Sequence, residues 1–136
     1  MRFLIDTNVL SELRKGPRAN ARVRDWFGSV DDAALYLSVL VVGELRQGVE
    51  RLRRRDPRAA ATLDRWLHEL IERHADRTLP VDGAVADRWG RLNVPDPIPA
   101  VDGLLAATAL VHSLTLVTRN VRDVRTTGVR HPDPFA

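Results

Sequence analysis

Four acidic residues stand beside apolar segments of the 136-residue sequence, and their positions suggest one shared site. They are Asp6, Glu44, Asp102 and Asp123. Asp6 directly follows the apolar run at residues 3–5, which is typical of a buried parallel strand. In open α/β sheets, ligands bind outside the carboxyl ends of the strands, and Asp6 lies at that edge if its strand is central. We therefore expect the other three acids to join Asp6 there.

Four carboxylates in one crevice would repel one another and raise their own pKa values unless a cation neutralises them. Oxygen ligands without a histidine or cysteine partner select hard ions such as Mg²⁺ or Mn²⁺. The chain has no cysteine, and its four histidines lack the i, i+3 or i, i+4 spacing of a helical metal pair. A hard cation held by acids suits in-line hydrolysis of a phosphodiester bond.

Short polar side chains flank two of the acids. Thr7 and Asn8 follow Asp6, while Thr118 and Asn120 lie shortly before the last acid. Their hydroxyl and amide groups could hold water molecules on a metal or orient a carboxylate. Caps and turns are an equally good explanation of these residue types.

Arginine supplies nearly all of the positive charge, because Lys15 is the single lysine among twenty-one basic residues and the net charge is +3. The lysine has neither a P-loop nor a receiver-domain context, which excludes those two classes. Arg119 could contact phosphate. The arginines from Arg46 to Arg58 are explained most simply as a solvated helix end, with contact to an RNA backbone as the alternative.

The elements that would position these residues alternate between strands and helices. Apolar runs predict strands at residues 3–5, 35–39, 79–81 and 114–118, with a weak edge strand near Val129. Helical spacing predicts helices at residues 8–14, 20–30, 41–55, 56–71, 82–92 and 101–112, the first of them capped by Asn8. This alternation implies right-handed crossovers and a parallel sheet with helices on both faces.

Length and composition favour one domain spanning residues 1–136, without repeats or linkers. No stretch reaches the ~18 apolar residues of a membrane span, and the first strand begins without a signal-like segment. We therefore expect a soluble cytoplasmic protein with no membrane contact.

Four segments in this order resemble the motifs of PIN-domain ribonucleases, specifically the VapC-type toxins of bacterial toxin–antitoxin pairs. The segments are residues 4–8, 43–45, 102–109 and 116–123. The resemblance implies a three-layer α/β/α sandwich whose central parallel sheet has the strand order 3-2-1-4-5. The sequence departs from the family pattern at one position, where Val124 replaces the usual phenylalanine. This difference concerns the packing beneath Asp123.

The resemblance also implies an activity and partners. It implies an endoribonuclease that depends on Mg²⁺, with Mn²⁺ as a substitute, and that cleaves tRNA, rRNA or mRNA to inhibit translation and growth. A cognate VapB-type antitoxin would block the site, and the toxin would form a homodimer. The acidic quartet would bind the metal, with Thr118 and Asn120 as supporting catalytic residues.

Three alternatives stay open at this stage. A housekeeping nuclease acting on RNA or DNA would use the same residues, and a non-catalytic RNA-binding module would keep the same fold. A phosphatase with Asp6 as its nucleophile is disfavoured, because such enzymes usually place a second aspartate two residues on, where this chain has Asn8.

Overall fold

A central parallel sheet organises the protein, whose computed structural model describes residues 1–135. The strands are β1 (Phe3–Ile5), β2 (Leu35–Ser38), β3 (Thr78–Leu79) and β4 (Thr115–Val117). Within the described residues their order is β3-β2-β1-β4, and each neighbouring pair is parallel. The predicted α/β class is confirmed, with β1 at the centre between β2 and β4. Residue 136, the last of the predicted domain, lies outside the described residues.

Helices cover both faces of this sheet. They are α1 (Thr7–Leu13), α2 (Ala21–Gly28), α3 (Val39–Arg53), α4 (Pro57–Arg73), α5 (Gly83–Leu92), α6 (Ala100–Val111) and α7 (Val121–Val124). Among the first four, α1 contacts α2 and α3, and α3 contacts α4, whereas α6 packs against both α5 and α7 and also on β1 and β4. The chain adds strands from β1 towards β3 on one side and then returns to place β4 on the other side of β1. Because each crossover is right-handed, the first four helices and the group around α6 lie on opposite faces of the sheet. No helix of residues 1–135 is long and apolar enough to cross a membrane.

Side-chain caps begin most of the longer helices, as the sequence predicted for Asp56 and Asp82. The Asp56 carboxylate accepts from Ala59 N at 3.0 Å, and that of Asp82 accepts from Val85 N at 3.0 Å. Each cap satisfies an amide that has no partner inside its own helix. These local signals are the reason that α4 and α5 begin where the sequence indicated.

The core lies on both sides of β1. Leu4 and Ile5 are buried and point to opposite faces of the sheet, because successive residues of a strand alternate. α6 packs on β1 with residues that include Leu105 and Ala106, both fully buried. α6 packs on the sheet and against both α5 and α7, which explains why its sequence is apolar on nearly every side. This packing brings the first turn of α6 to the carboxyl end of β1.

The predicted fifth strand is wrong for the described residues. The segment after α7 lies beside β4, where Val129 is buried and Arg130 O accepts from Leu116 N at 2.8 Å. One backbone hydrogen bond does not make a ladder, and Pro132 has no amide hydrogen with which to extend it. Within residues 1–135 the sheet therefore ends at β4.

Several predicted boundaries were also wrong by one to three residues. Asp6, not Asn8, is the N-cap of α1, because the Asp6 carboxylate accepts from Thr7 N at 2.7 Å. Ser38 caps α3, so that helix begins two residues earlier than its apolar spacing indicated. β3 stops before Pro80, whose nitrogen cannot join a ladder.

Candidate active site

Asp6 is the most buried acid of the candidate site, with 5% of its surface exposed. Its backbone amide continues the β1 pairing by donating to Val117 O at 2.9 Å. One carboxylate oxygen accepts from Thr7 N, and the other accepts from Thr118 Oγ1 at 2.6 Å and from Asn8 Nδ2 at 3.3 Å. The carboxylate is therefore held by Thr7 and Asn8 of α1 and by Thr118 of the segment after β4.

Burial raises the pKa of the Asp6 carboxyl above its ordinary value, since the charged form loses hydration. The negative charge of Glu44 raises this pKa further. Hydrogen bonds from Thr118, Thr7 and Asn8 act in the opposite direction by stabilising the carboxylate. A cation in the crevice would add to those hydrogen bonds and favour the charged form.

Glu44 reaches the same edge of the sheet from the second turn of α3, where it is half-buried. Its Oε1 accepts a hydrogen bond of 2.6 Å from Thr7 Oγ1. Thr7 thus touches two acids, donating its amide to Asp6 and its hydroxyl to Glu44. The sequence identified Thr7 only as a short polar residue. Its contact with Glu44 could not be predicted, because the two residues are 37 positions apart and no local pattern connects them.

Asp102 occupies the first turn of α6 and is half-buried. Burial raises the pKa of its carboxyl to about 6, and the negative charges of Asp6 and Asp123 act in the same direction. Asn120 Nδ2 lies 3.5 Å from Asp102 Oδ1 and lowers the pKa through a long hydrogen bond. Neighbouring carboxylates therefore act on Asp102 as the sequence predicted for a shared acidic site.

Asp123 belongs to α7, a one-turn helix that the sequence did not predict. Its carboxyl lies near enough to Asp102 for its negative charge to raise the Asp102 pKa. Asn120, the residue before this helix, is exposed, and its backbone amide donates to Thr118 Oγ1 at 2.9 Å. Thr118 and Asn120 therefore link the segment that leads into α7 to Asp6 and Asp102.

An open cavity of about 510 Å³ lies at this edge of the sheet. Its polar lining consists of Asp6, Thr7, Asn8, Glu44, Asp102 and Asn120. Asp123 is not among the lining residues and borders the site through its contact with Asp102. Residues 99–101 also line the cavity and were not predicted from the sequence. Their position just before Asp102, at the start of α6, could have indicated that they lie beside the site.

The donor chemistry of this site fits a hard cation. Every candidate ligand is an oxygen from a carboxylate, a hydroxyl or a side-chain amide, which is the set that Mg²⁺ and Mn²⁺ prefer. Mutual repulsion among the carboxylates gives a cation a favourable place. Among residues 1–135, no three His, Asp or Glu side chains lie close enough together to form a complete metal-binding cluster. The acids of the site instead lie as neighbouring pairs. Metal binding therefore stays a prediction.

Arg119, a predicted phosphate contact, does not line the cavity. Its guanidinium lies 4.4 Å from the centre of the Phe135 ring, and its amide donates to Asn8 Oδ1 at 3.2 Å. This residue therefore holds the segment after β4 against α1 and against the end of the described chain. A phosphate contact by Arg119 stays a prediction.

Comparisons with known proteins agree with this geometry. The profile of the PIN domain matches residues 3–128. The chain is 38% identical to Toxin FitB of Neisseria gonorrhoeae over 128 residues, which is 87% of each chain. It is 31% identical to VapC ribonuclease Y4jK of Sinorhizobium fredii over 138 residues, covering 98% of this chain and 97% of that protein.

A solved structure shows the same likeness in three dimensions. The crystal structure of FitAcB from Neisseria gonorrhoeae matches with a TM-score of 0.90 and 34% identity, over 98% of each chain. The predicted PIN-like sandwich and the resemblance to VapC-type proteins are therefore confirmed. The chain belongs to the PIN-domain family.

Proposed function

We propose that this protein is a Mg²⁺-dependent endoribonuclease toxin that cleaves tRNA, rRNA or mRNA and so inhibits translation and growth. The observation that carries the proposal is a buried Asp6 at the carboxyl end of the central strand, in one cavity with Glu44 and Asp102. Relatives that are named a toxin and a VapC ribonuclease support it. Phosphodiester hydrolysis is the chemistry that such an acidic site suits.

The acidic quartet would hold the metal, and each supporting residue has a distinct task. A bound Mg²⁺ supplies positive charge that offsets charge developing on the phosphate and on the leaving oxygen. Thr118 fixes one oxygen of Asp6 in a water-poor environment. Thr7 orients Glu44, and Asn120 restrains Asp102.

The proposal includes a cognate VapB-type antitoxin, a homodimer and a cytoplasmic location. The resemblance to VapC-type toxins supports the antitoxin, and the name of the FitB relative as a toxin agrees with it. Sedimentation of the purified chain at low micromolar concentration should give the mass of two chains. A single-chain mass throughout would remove the dimer from the proposal.

RNA ends mapped in cells after induction test activity and target together. Wild type should produce a discrete set of new ends in one RNA class and arrest growth, while Asp6→Asn should produce neither. Asparagine keeps an acceptor for Thr7 N, so this variant should stay folded. Asp25→Asn, the same change at an exposed residue of α2, should behave like wild type. Unchanged cleavage by Asp6→Asn, with contaminating nucleases excluded, would reject the proposal.

Calorimetry tests the metal independently of cleavage. The purified protein should bind Mg²⁺ or Mn²⁺, and Asp102→Asn should weaken binding because it removes a carboxylate from the site. Absence of binding to the wild type, freed of any antitoxin, would favour a non-catalytic RNA-binding module of the same fold.

A further inference from the structure

The site cavity continues into two depressions along the surface where α1, α3 and α4 meet. The first, of about 240 Å³, shares Thr7 and Glu44 with the site and extends to Arg14 and Arg55. The second, of about 510 Å³, shares Arg14 with the first and reaches Arg18. We call these two depressions the arginine trench. Its main polar or aromatic lining residues are Ser11, Arg14, Arg18, Arg55, Thr62 and Trp66.

Helical spacing explains why the trench leads away from the acids. Thr7, Ser11 and Arg14 follow one another at i, i+4 and i+7, so they share a face of α1 and its C-cap. Glu44 and Arg55 lie along the α3 side of the same depression. At ~1.5 Å per residue, Arg14 stands roughly 10 Å from Thr7 along its helix axis. The trench therefore starts at two site residues and ends at cations.

The trench arginines differ from others nearby, because they have no acidic partner in the described part of the chain. Arg46 and Arg53 both pair with Asp64, at 2.9 Å and 3.1 Å, and thereby join α3 to α4. Among residues 1–135, Arg14, Arg18 and Arg55 take part in no ion pair. All three are exposed. Their charges are therefore free to meet an anionic ligand, whereas Arg46 and Arg53 serve the fold.

The charges of the trench favour a polyanion. Leu52, Leu63 and Trp66 are half-buried and leave some apolar surface in the trench, while the large hydrophobic residues that are exposed within residues 1–135 lie elsewhere: Met1, Val39, Val81 and Val94. Among the described residues that line the trench, every charged side chain is an arginine except Glu44 at the junction with the site. Cations spaced along a groove are the usual means of following a phosphate backbone.

We propose that the arginine trench binds the phosphate backbone of single-stranded RNA on one side of the bond that is cut. This proposal rests on the proposed ribonuclease function and adds the path of its substrate. Arg14, Arg18 and Arg55 each neutralise a phosphate, and Trp66 offers the trench an aromatic surface. The contacts are to the backbone, so they add affinity without selecting a base sequence.

Fluorescence anisotropy with a labelled single-stranded RNA of about 20 nucleotides tests the trench, given site sizes of about 4–16 nucleotides for such grooves. The Asp6→Asn background prevents cleavage during the measurement. The test variant combines Arg14→Gln, Arg18→Gln and Arg55→Gln. The control combines Arg51→Gln, Arg54→Gln and Arg58→Gln, which remove the same charge from exposed arginines outside the trench.

The trench variant should bind RNA roughly 10- to 100-fold more weakly than its parent at about 0.15 M salt. The slope of log affinity against log salt should become shallower by about 2, since each lost contact to single-stranded phosphate is worth about 0.7. The control should lose less than about threefold, and both variants should keep the parent's melting temperature.

Three results would overturn the trench proposal. Equal losses in the two variants would mean that net charge alone attracts RNA, and no loss in either would mean that RNA follows another path. If the trench variant kept its affinity for RNA but lost its affinity for an oligoglutamate peptide, the trench would be a site for an acidic protein segment. A wild type that binds RNA through the trench but cleaves none in Mg²⁺ would support the trench and reject the ribonuclease function.

Discussion

Thr118 joins two parts of the candidate site through one hydroxyl group. The group donates to Asp6 Oδ2 at 2.6 Å and accepts from Asn120 N at 2.9 Å, and the side chain is fully buried. A hydroxyl is the smallest side-chain group that can both donate and accept a hydrogen bond. Thr118 therefore sets the position of Asp6 and of the loop before α7 at the same time.

Thr118→Val keeps the shape of the side chain and removes both hydrogen bonds. We expect the free energy of unfolding to fall by about 1–3 kcal/mol, because a buried carboxyl and an amide each lose a partner. RNA cleavage should fall at least roughly tenfold as Asp6 loses its fixed position. Urea unfolding and a cleavage assay measure the two effects. Thr118→Ser, which keeps the hydroxyl, should retain most of both, and an unaffected valine variant would contradict this role.

The raised pKa of Asp102 predicts how the stability of the metal-free protein depends on pH. Its pKa is raised from 3.8 to about 6 in the folded state, so the folded protein binds more protons than the unfolded chain between these values. The stabilising contribution of the neutral carboxyl is fully present below about pH 4 and is lost as the pH rises through 6. Allowing for solvent screening, the effect should be about 1 kcal/mol.

Thermal melting in EDTA at pH 4 and pH 7.5 measures this dependence. Because the pKa of Asp6 is also raised, Asp102→Asn should reduce the dependence without abolishing it. Added Mg²⁺ should restore stability at pH 7.5 in the wild type. An Asp102→Asn curve that parallels the wild-type curve would show that Asp102 is not the group responsible.

At the scale of elements, the close contact between α5 and α6 positions Asp102. A Cβ atom on Gly103 would stand 3.2 Å from two atoms of the Trp89 ring, so any side chain there would require the ring or the helix to shift by a few tenths of an ångström. Trp89 Nε1 is buried without a hydrogen-bond partner in the described part of the chain. The ring is thus held against α6 by packing and not by polar contacts.

Gly103→Val should separate the two helices and lower the free energy of unfolding by about 1–3 kcal/mol through overpacking. Cleavage should fall with it, since the preceding residue, Asp102, moves. Gly90→Val introduces the same side chain on α5 where nothing lies within 4 Å, and it should cost much less. Denaturant unfolding compares the two variants. Equal losses would mean that helix propensity, and not contact with Trp89, explains the effect.

At the scale of the whole molecule, the segment after α7 closes the β4 edge of the core. Val129 is 4% exposed, and Arg130 O accepts a hydrogen bond from Leu116. Phe135 then reaches Arg119, next to the site. The end of the described chain thereby connects the free edge of the sheet with the loop that carries Thr118 and Asn120.

Val129→Ala tests whether this segment belongs to the cooperative fold. We expect a loss of about 1–2 kcal/mol in the free energy of unfolding, which is the typical effect of removing two buried methyl groups and leaving a small cavity. Val94→Ala is the matched control, because Val94 is 75% exposed. A Val129 variant as stable as the control would show that the segment is not part of the folding unit.

The sequence alone was sufficient for features that depend on neighbouring residues. Apolar periodicity located the strands and the longer helices, and Asp56 and Asp82 marked two helix starts, because a cap acts within one turn. The four acids were identified by their positions beside those elements. Their motif order also indicated the PIN-domain family, which the comparisons confirmed.

Only the tertiary structure decided which of these groups meet. The bond between Thr118 and Asp6 spans 112 positions, and the one between Thr7 and Glu44 spans 37, so neither has a local signature. The absence of a fifth strand from residues 1–135 depends on how one segment lies against β4. The same holds for the arginines, since the folded arrangement pairs Arg46 and Arg53 with Asp64 and leaves others free. Such contacts depend on register and packing between distant elements, which a residue pattern does not specify.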